Sequence, residues 1–296
     1  MRVVSLLPAA TEIVAALGAG GFLVGVSHEC DYPPEVQALP RVTRSRIDST
    51  RPSGDIDRAV AEARRAGTST IEVDVELVAR LRPDVILGQS LCEVCAVGPG
   101  DLERLVATLM PTPWLVTLHA HTLDGVLADI VRVGKAIELT DEADELVAGL
   151  RYRLDRLRRV ETRARRSGDV GAQHAAPLPR LSVLVLEWLD PPYVAGHWVP
   201  ELVAIAGGHA IATAAGEPSR THPWRELTAL APDLVVIALC GFDVPRARVE
   251  VATVTDPDAR ALFSRRVEFL DGNAYTSRPG PRLVDAADML ARLIPR

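Results

Sequence analysis

The chain has 296 residues, 48% apolar and 24% charged, which suits two lobes of about 100–200 residues each and gives enough apolar mass for real cores. This excludes a disordered chain, a collagen and a disulfide miniprotein. With 33 basic against 39 acidic residues the net charge is −6, so the overall field that nucleic-acid binding relies on is absent.

Met1-Arg2 leads at once into Val3–Leu7, which reads as a first core strand. That leaves no room for a signal peptide, so the sequence as it stands reads as cytoplasmic, or as periplasmic or cell-surface if the start is misassigned. No apolar run approaches the ~20 residues of a membrane span, so no membrane insertion is expected. Ala10–Leu17 is helical and stopped by Gly18; Leu23–Val26 is a strand. Asp55–Arg65 and Asp74–Leu81 are helical, and Val85–Leu87 is a strand followed by a long Gly/Cys loop. Asp101–Leu109 is helical and Trp114–Thr117 a strand. Strands separated by helices predict parallel βαβ units.

Leu123–Glu138 and Asp141–Arg166 are helical, with a Leu-Thr break between them. In the second, Leu146, Leu150, Leu154 and Leu157 form one apolar stripe on a helix of roughly 39 Å. Its acidic start and arginine-rich end suit the helix dipole. The arginines read as a solvated helix end. Ser167–Arg180 lacks periodicity and reads as a linker. The βα pattern then restarts. Leu181–Leu186, Leu234–Leu239 and Val267–Leu270 are strands; Val199–Ala206, Pro223–Leu230 and Pro281–Leu293 are helices. The fold class is therefore α/β: two βα lobes with mainly parallel sheets joined by one long backbone helix. The expected domains are 1–122, a helical region 123–166, a linker 167–180 and a second lobe 181–296.

Cys30, Cys92, Cys95 and Cys240 each follow a predicted strand. In open parallel sheets ligands bind beyond the carboxyl ends of the strands. Buried small hydrophobes, the usual role of cysteine, would instead be scattered. Cys92-Glu93-Val94-Cys95 is a CxxC, either a redox pair or half of a metal site. With His28 near Cys30, these ligands suit zinc, iron or an iron–sulfur cluster, although the spacing matches no zinc ribbon or finger. The cysteines are expected to meet, Cys30 close to Cys92 and Cys95 with Cys240 opposite. Tryptophan, tyrosine and phenylalanine make up only 4% of the chain, yet Trp188, Tyr193, Trp198, Phe242 and Tyr275 lie in or beside strand-end loops with Glu187, His197 and Arg278. That company suits a flat ligand held between rings. The GxSxG, HExxH and Walker motifs are missing. His119-Ala120-His121 is a common pattern and reads as structural.

Ser5-Leu6-Leu7-Pro8-Ala9-Ala10-Thr11-Glu12-Ile13, Leu17-Gly18 and Val24-Gly25-Val26-Ser27 resemble the opening of the vitamin B12 and iron–siderophore substrate-binding proteins of ABC importers. Asp31-Tyr32-Pro33-Pro34 is similar to the cobalamin-binding members. Leu81–Ile86, Leu230–Val236, Gly207-Gly208 and Ser277–Arg282 fit later parts of the pattern, so the likeness covers nearly the whole chain outside 167–180. It implies two lobes joined by one long helix, with the ligand in a cleft between them. It also implies a surface carboxylate on each lobe, matching Glu103 and Glu226, that docks onto arginines of a membrane permease. The cysteine pattern and His28-Glu29 depart from the typical cobalamin binder.

The first expectation is thus a non-enzymatic, monomeric binding protein for cobalamin, another corrinoid or a related metal chelate, with an ABC permease as partner. Flat contacts come from Trp188, Tyr193, Trp198 and Phe242, and polar ones from Tyr32 and Arg278. His28 or His197 could approach an axial position of the metal, and Pro8, Glu187 and Tyr275 complete the set. The alternative is a cytosolic metalloprotein holding a metal ion or iron–sulfur cluster on Cys30, Cys92, Cys95 and Cys240. A third reading is an enzyme acting on a corrinoid, with a cysteine as reductant or ligand.

Overall fold

A computed structural model describes residues 1–90, 97–167 and 180–294. The chain divides into two units, Met1–Ala120 with Asp124–Ala148, and His121–Leu123 with Gly149–Arg296.

The strands of the first unit are β1 (Val3–Ser5), β2 (Leu23–Val26), β3 (Thr43–Ser45), β4 (Ile71–Val73), β5 (Val85–Gln89) and β6 (Trp114–Leu118). Four of them form a parallel sheet in the order β2-β1-β5-β6. β5 is buried along its whole length, which is why it reads as a continuous apolar run instead of an alternating one. The short antiparallel pair β3–β4 is a small separate sheet.

The helices in chain order are α1 (Pro8–Ala16), α2 (Ser53–Arg65), α3 (Val75–Leu81), α4 (Pro99–Thr108), α5 (Leu123–Ala136) and α6 (Thr140–Ser167). α1 opens on Pro8, whose missing N–H is no loss in a first turn. It starts two residues earlier than periodicity suggested because β1 ends at Ser5. Asp74 lies outside α3 as its cap, accepting the Leu77 N–H at 2.8 Å. Leu102, Leu105 and Leu109 pack with Val4, Leu6 and Ile86 in one core cluster.

α6 buries Ala143, Val147, Leu150, Leu154 and Leu157. The expected stripe began at Leu146, but that residue is half-buried and Val147 takes the buried place. The helix contributes its residues up to Ala148 to the first unit and the following ones to the second.

The second unit holds β7 (Ser182–Leu189), β8 (Pro192–Val194), β9 (His209–Ala210), β10 (Arg220–Thr221), β11 (Leu234–Ile237) and β12 (Val267–Phe269). They form one sheet in the order β10-β8-β7-β11-β12, with β9 also on β7. β7, β9, β11 and β12 run parallel, while β8 and β10 are antiparallel additions. Its helices are α7 (Val199–Ile205), α8 (Trp224–Ala229), α9 (Val244–Thr253), α10 (Pro257–Phe263) and α11 (Leu283–Leu293). Arg153 of α6 donates to Asp285 at 2.6 Å and Asp288 at 2.7 Å, fastening α6 to α11. Sequence reading placed no helix between β11 and β12, yet α9 and α10 lie there. Each opens on an aspartate cap, Asp243 accepting the Arg246 N–H and Asp256 those of Asp258 and Ala259.

Among the described residues no helix is long and apolar enough to cross a membrane. The expected linker falls outside the described residues from 168 to 179.

Candidate functional site

In the first unit the loop after β2 carries His28, Cys30 and Tyr32. Arg41 organises it: Nη1 donates to the carbonyls of Ser27 at 2.9 Å and Cys30 at 2.5 Å. The His28 N–H donates to Thr43 Oγ1 at 3.0 Å, and its ring Nδ1 lies 2.7 Å from the same oxygen. One hydroxyl therefore fixes both backbone and ring. Burial, reinforced by the Arg41 charge, lowers the pKa of His28 below its ordinary value. Tyr32 is 45% exposed and Pro8 is buried.

This gives a pH prediction. The unfolded chain takes up the His28 proton first, near its ordinary ~6.5. Stability from the neutral ring is therefore present above that pH and lost as pH falls from there through the depressed folded value. Urea unfolding at pH 7.5 and 5.5 is expected to show a smaller loss on acidification for His28→Gln than for the natural protein. Equal losses would show that the ring titrates normally.

Cys30 of the expected metal set lies in the interior. The residue is 1% exposed, and its Sγ lies 3.1 Å from Thr11 Oγ1 and 3.3 Å from Ser27 Oγ. It is an interior thiol lined by hydroxyls. Cys92 and Cys95 lie outside the described residues, and with them the expected meeting of the cysteines. Cys240 belongs to the second unit, half-buried and unbridged, its N–H donating to the Glu187 carbonyl at 2.9 Å. Among the described residues no group of three or more His, Cys, Asp or Glu could hold a metal ion.

In the second unit the carboxyl ends of β7, β11 and β12 feed the loops that carry the remaining candidates. Trp188 stands opposite Tyr193 across the β7–β8 pair. Its ring meets Phe242 at 5.2 Å between centroids, tilted by 54°, and the Arg246 guanidinium lies 4.0 Å from the centre of the Phe242 ring. Indole Nε1 of Trp188 is buried and has no hydrogen-bond partner among the described residues. After β12 the chain makes a π-helical turn at Gly272–Thr276, and the Asn273 N–H donates to the Phe242 carbonyl at 3.2 Å. This brings the half-buried Tyr275 and the buried Arg278 into the same neighbourhood; Arg278 donates to Asn273 Oδ1 at 2.9 Å.

Trp198 does not join this face. It is 4% exposed, and its Nε1 donates to the Thr276 carbonyl at 2.9 Å, so it is a core residue tying the start of α7 to the π-helical turn. Phe242 is 3% exposed and is the floor beneath Trp188 more than a contact surface itself.

His119 and His121 go separate ways. The His119 ring lies 3.2 Å from Arg132 Nη2, while its N–H and that of Ala120 donate to the buried Asp129, each at 3.0 Å. Burial raises the Asp129 pKa against the opposing pull of these donors and of Arg132. His121 instead faces His197, ring centres 5.5 Å apart. Nothing in the local pattern signals that pairing, because the two residues are far apart in sequence. Burial, with His121 adding to it, lowers the pKa of His197. Glu103 on α4 and Glu226 on α8 are exposed, with Glu226 Oε2 3.9 Å from His222 Nδ1.

Two α/β units built on parallel strands, with polar and aromatic loops at the strand ends, have the architecture of a solute-binding protein. The family described as periplasmic binding protein matches residues 3–244, and the chain belongs to that family, the group of ABC-importer substrate-binding proteins that its opening motif resembles. By that description its members are binding proteins. A vitamin B12-binding protein of Vibrio cholerae is 23% identical over 98% of this chain and 87% of its own length. The ABC transporter substrate-binding lipoprotein YvrC of Bacillus subtilis is 26% identical over 99% of this chain and 79% of its own. Among solved structures, a periplasmic heme-binding protein from Pseudomonas aeruginosa shares the fold at TM-score 0.73 and 24% identity, covering 99% of this chain and 92% of that one. The cytoplasmic expectation finds no support: the family is described as periplasmic, YvrC is named a lipoprotein and the Pseudomonas protein is named periplasmic.

Proposed function

We propose that the protein captures cobalamin, another corrinoid or a related metal chelate and delivers it to an ABC permease. The observation that carries this reading is the strand-end face of the second unit, where Trp188 lies on Phe242 with a buried indole N–H that has no acceptor among the described residues. A flat apolar ligand fringed with carbonyl groups would supply both the surface and the missing acceptor. Tyr193, Glu187, Tyr275 and Arg278 surround this pair in the proposal. Taken by itself, the first unit has Pro8, His28 and Tyr32 as candidate ligand contacts. The full-length similarity to vitamin B12-binding proteins supports the corrinoid class, and the family and its lipoprotein member support an exported location.

The test is titration of purified protein with cyanocobalamin, aquocobalamin and hemin, followed by absorbance and tryptophan quenching. Saturable corrinoid binding is expected, weakened about 30-fold or more by Trp188→Ala, the ~2 kcal/mol typical of a buried aromatic anchor. Saturable binding of hemin alone would move the ligand to the porphyrins. Binding of none of the three would remove the reading.

A further inference from the structure

His121, and His197 that the sequence also offered as an axial contact, take no part in the proposed corrinoid face, and four observations single them out. First, their ring centres are 5.5 Å apart with planes tilted by 49°. Two imidazoles that each place a nitrogen about 2.0–2.1 Å from one ion have ring centres about 5 Å apart. Second, Nδ1 of His197 is buried without a hydrogen-bond partner among the described residues, and a buried polar nitrogen in a folded protein ordinarily has one. Third, His197 holds a φ of +53°, in the left-handed region that favours glycine. Its N–H donates to the Glu217 carbonyl at 2.6 Å, and the Gly216 N–H donates to its own carbonyl at 2.9 Å, so the loop enforces the strain. Strain of this kind clusters at functional positions. Fourth, the segment presenting His121 is pinned two residues further on, where the Leu123 N–H donates to Glu201 Oε2 at 2.7 Å.

We propose that His121 and His197 form a two-imidazole site for a divalent first-row transition-metal ion, bound through Nδ1 of His197 and a ring nitrogen of the exposed His121. Imidazole nitrogens favour zinc, nickel and copper over the oxygen-seeking magnesium and calcium. No third His, Cys, Asp or Glu joins them among the described residues, so the ion keeps open positions for water or for a donor atom of another molecule. The site is independent of the corrinoid reading. A planar tetrapyrrole leaves its metal only two opposite positions, whereas these rings approach an ion from neighbouring directions.

The experiment is calorimetric titration of the chelator-treated full chain with zinc and, separately, nickel, with the thiols alkylated beforehand. The natural protein is expected to show a saturable equivalent tighter than about 1 mM. His121→Ala and His197→Ala should each weaken it at least about tenfold, and His119→Ala should leave it unchanged. His197 sits in a strained loop, so circular dichroism accompanies each variant. His121 is exposed, and its variant decides the matter if His197→Ala fails to fold. Identical isotherms for the natural protein and His121→Ala, or no saturable binding, overturn the proposal whatever the corrinoid titrations give.

Discussion

Gly272→Ala is expected to destabilise the second unit by about 3 kcal/mol or more, above the usual range for overpacking because the obstacle is backbone. A β-carbon there would lie 2.5 Å from the carbonyl carbon and 2.6 Å from the oxygen of Ala238, and closer still to the Leu239 oxygen. Main chain at the end of β11 cannot swing aside as a side-chain tip can. The loop would have to lift away, breaking the Asn273 N–H bond to Phe242 and shifting Tyr275 and Arg278. For a unit of this size the expected fall in Tm is roughly 6–12 °C. Gly149→Ala is the control. It is helical and exposed, and a β-carbon there meets nothing within 4 Å, so a gain of about 0.5–1 kcal/mol is expected. Equal melting temperatures for Gly272→Ala and the natural protein would refute the close approach.

Reversing Glu103 and Glu226 together to arginine is expected to abolish transport while leaving ligand affinity unchanged. Both carboxylates are exposed, one on each unit, and neither belongs to the proposed ligand contacts. If they dock onto permease arginines, each reversal replaces attraction with like-charge repulsion, worth several kcal/mol and felt in the encounter rate. Single reversals should impair uptake partially, and Glu→Gln at both positions should fall between. Normal uptake by the double reversal would return both residues to the ordinary solvated surface. ATP hydrolysis by the reconstituted permease gives the same readout without cells.

Much of the α/β frame was legible because its strands are short apolar runs bounded by turn residues and its helices keep a 3.6-residue period. Pairs such as β3–β4 and β8–β10 were not, since two or three residues carry no periodicity and exist only through their partners. α9 and α10 were missed although Asp243-Val244-Pro245 and Asp256-Pro257 are sound starting signals; the arginine-rich residues that follow blur the apolar face. At the site, strand-end position drew attention to Trp188 and Phe242, whose rings touch. Trp198 and Cys30 are set differently. Each lies beside a strand end, but a carbonyl at Thr276 and hydroxyls at Thr11 and Ser27 turn them inward, and no local pattern announces such distant partners.

The division of the chain bears on how it is made. Because His121–Leu123 belongs to the second unit while the residues on either side belong to the first, no single cut releases either unit whole. On the ribosome this three-residue segment emerges before the rest of its unit, which begins at Gly149. Glu201 and His197 arrive only later, so the final docking of this early segment is a long-range step that truncated or circularly permuted chains would have to reproduce.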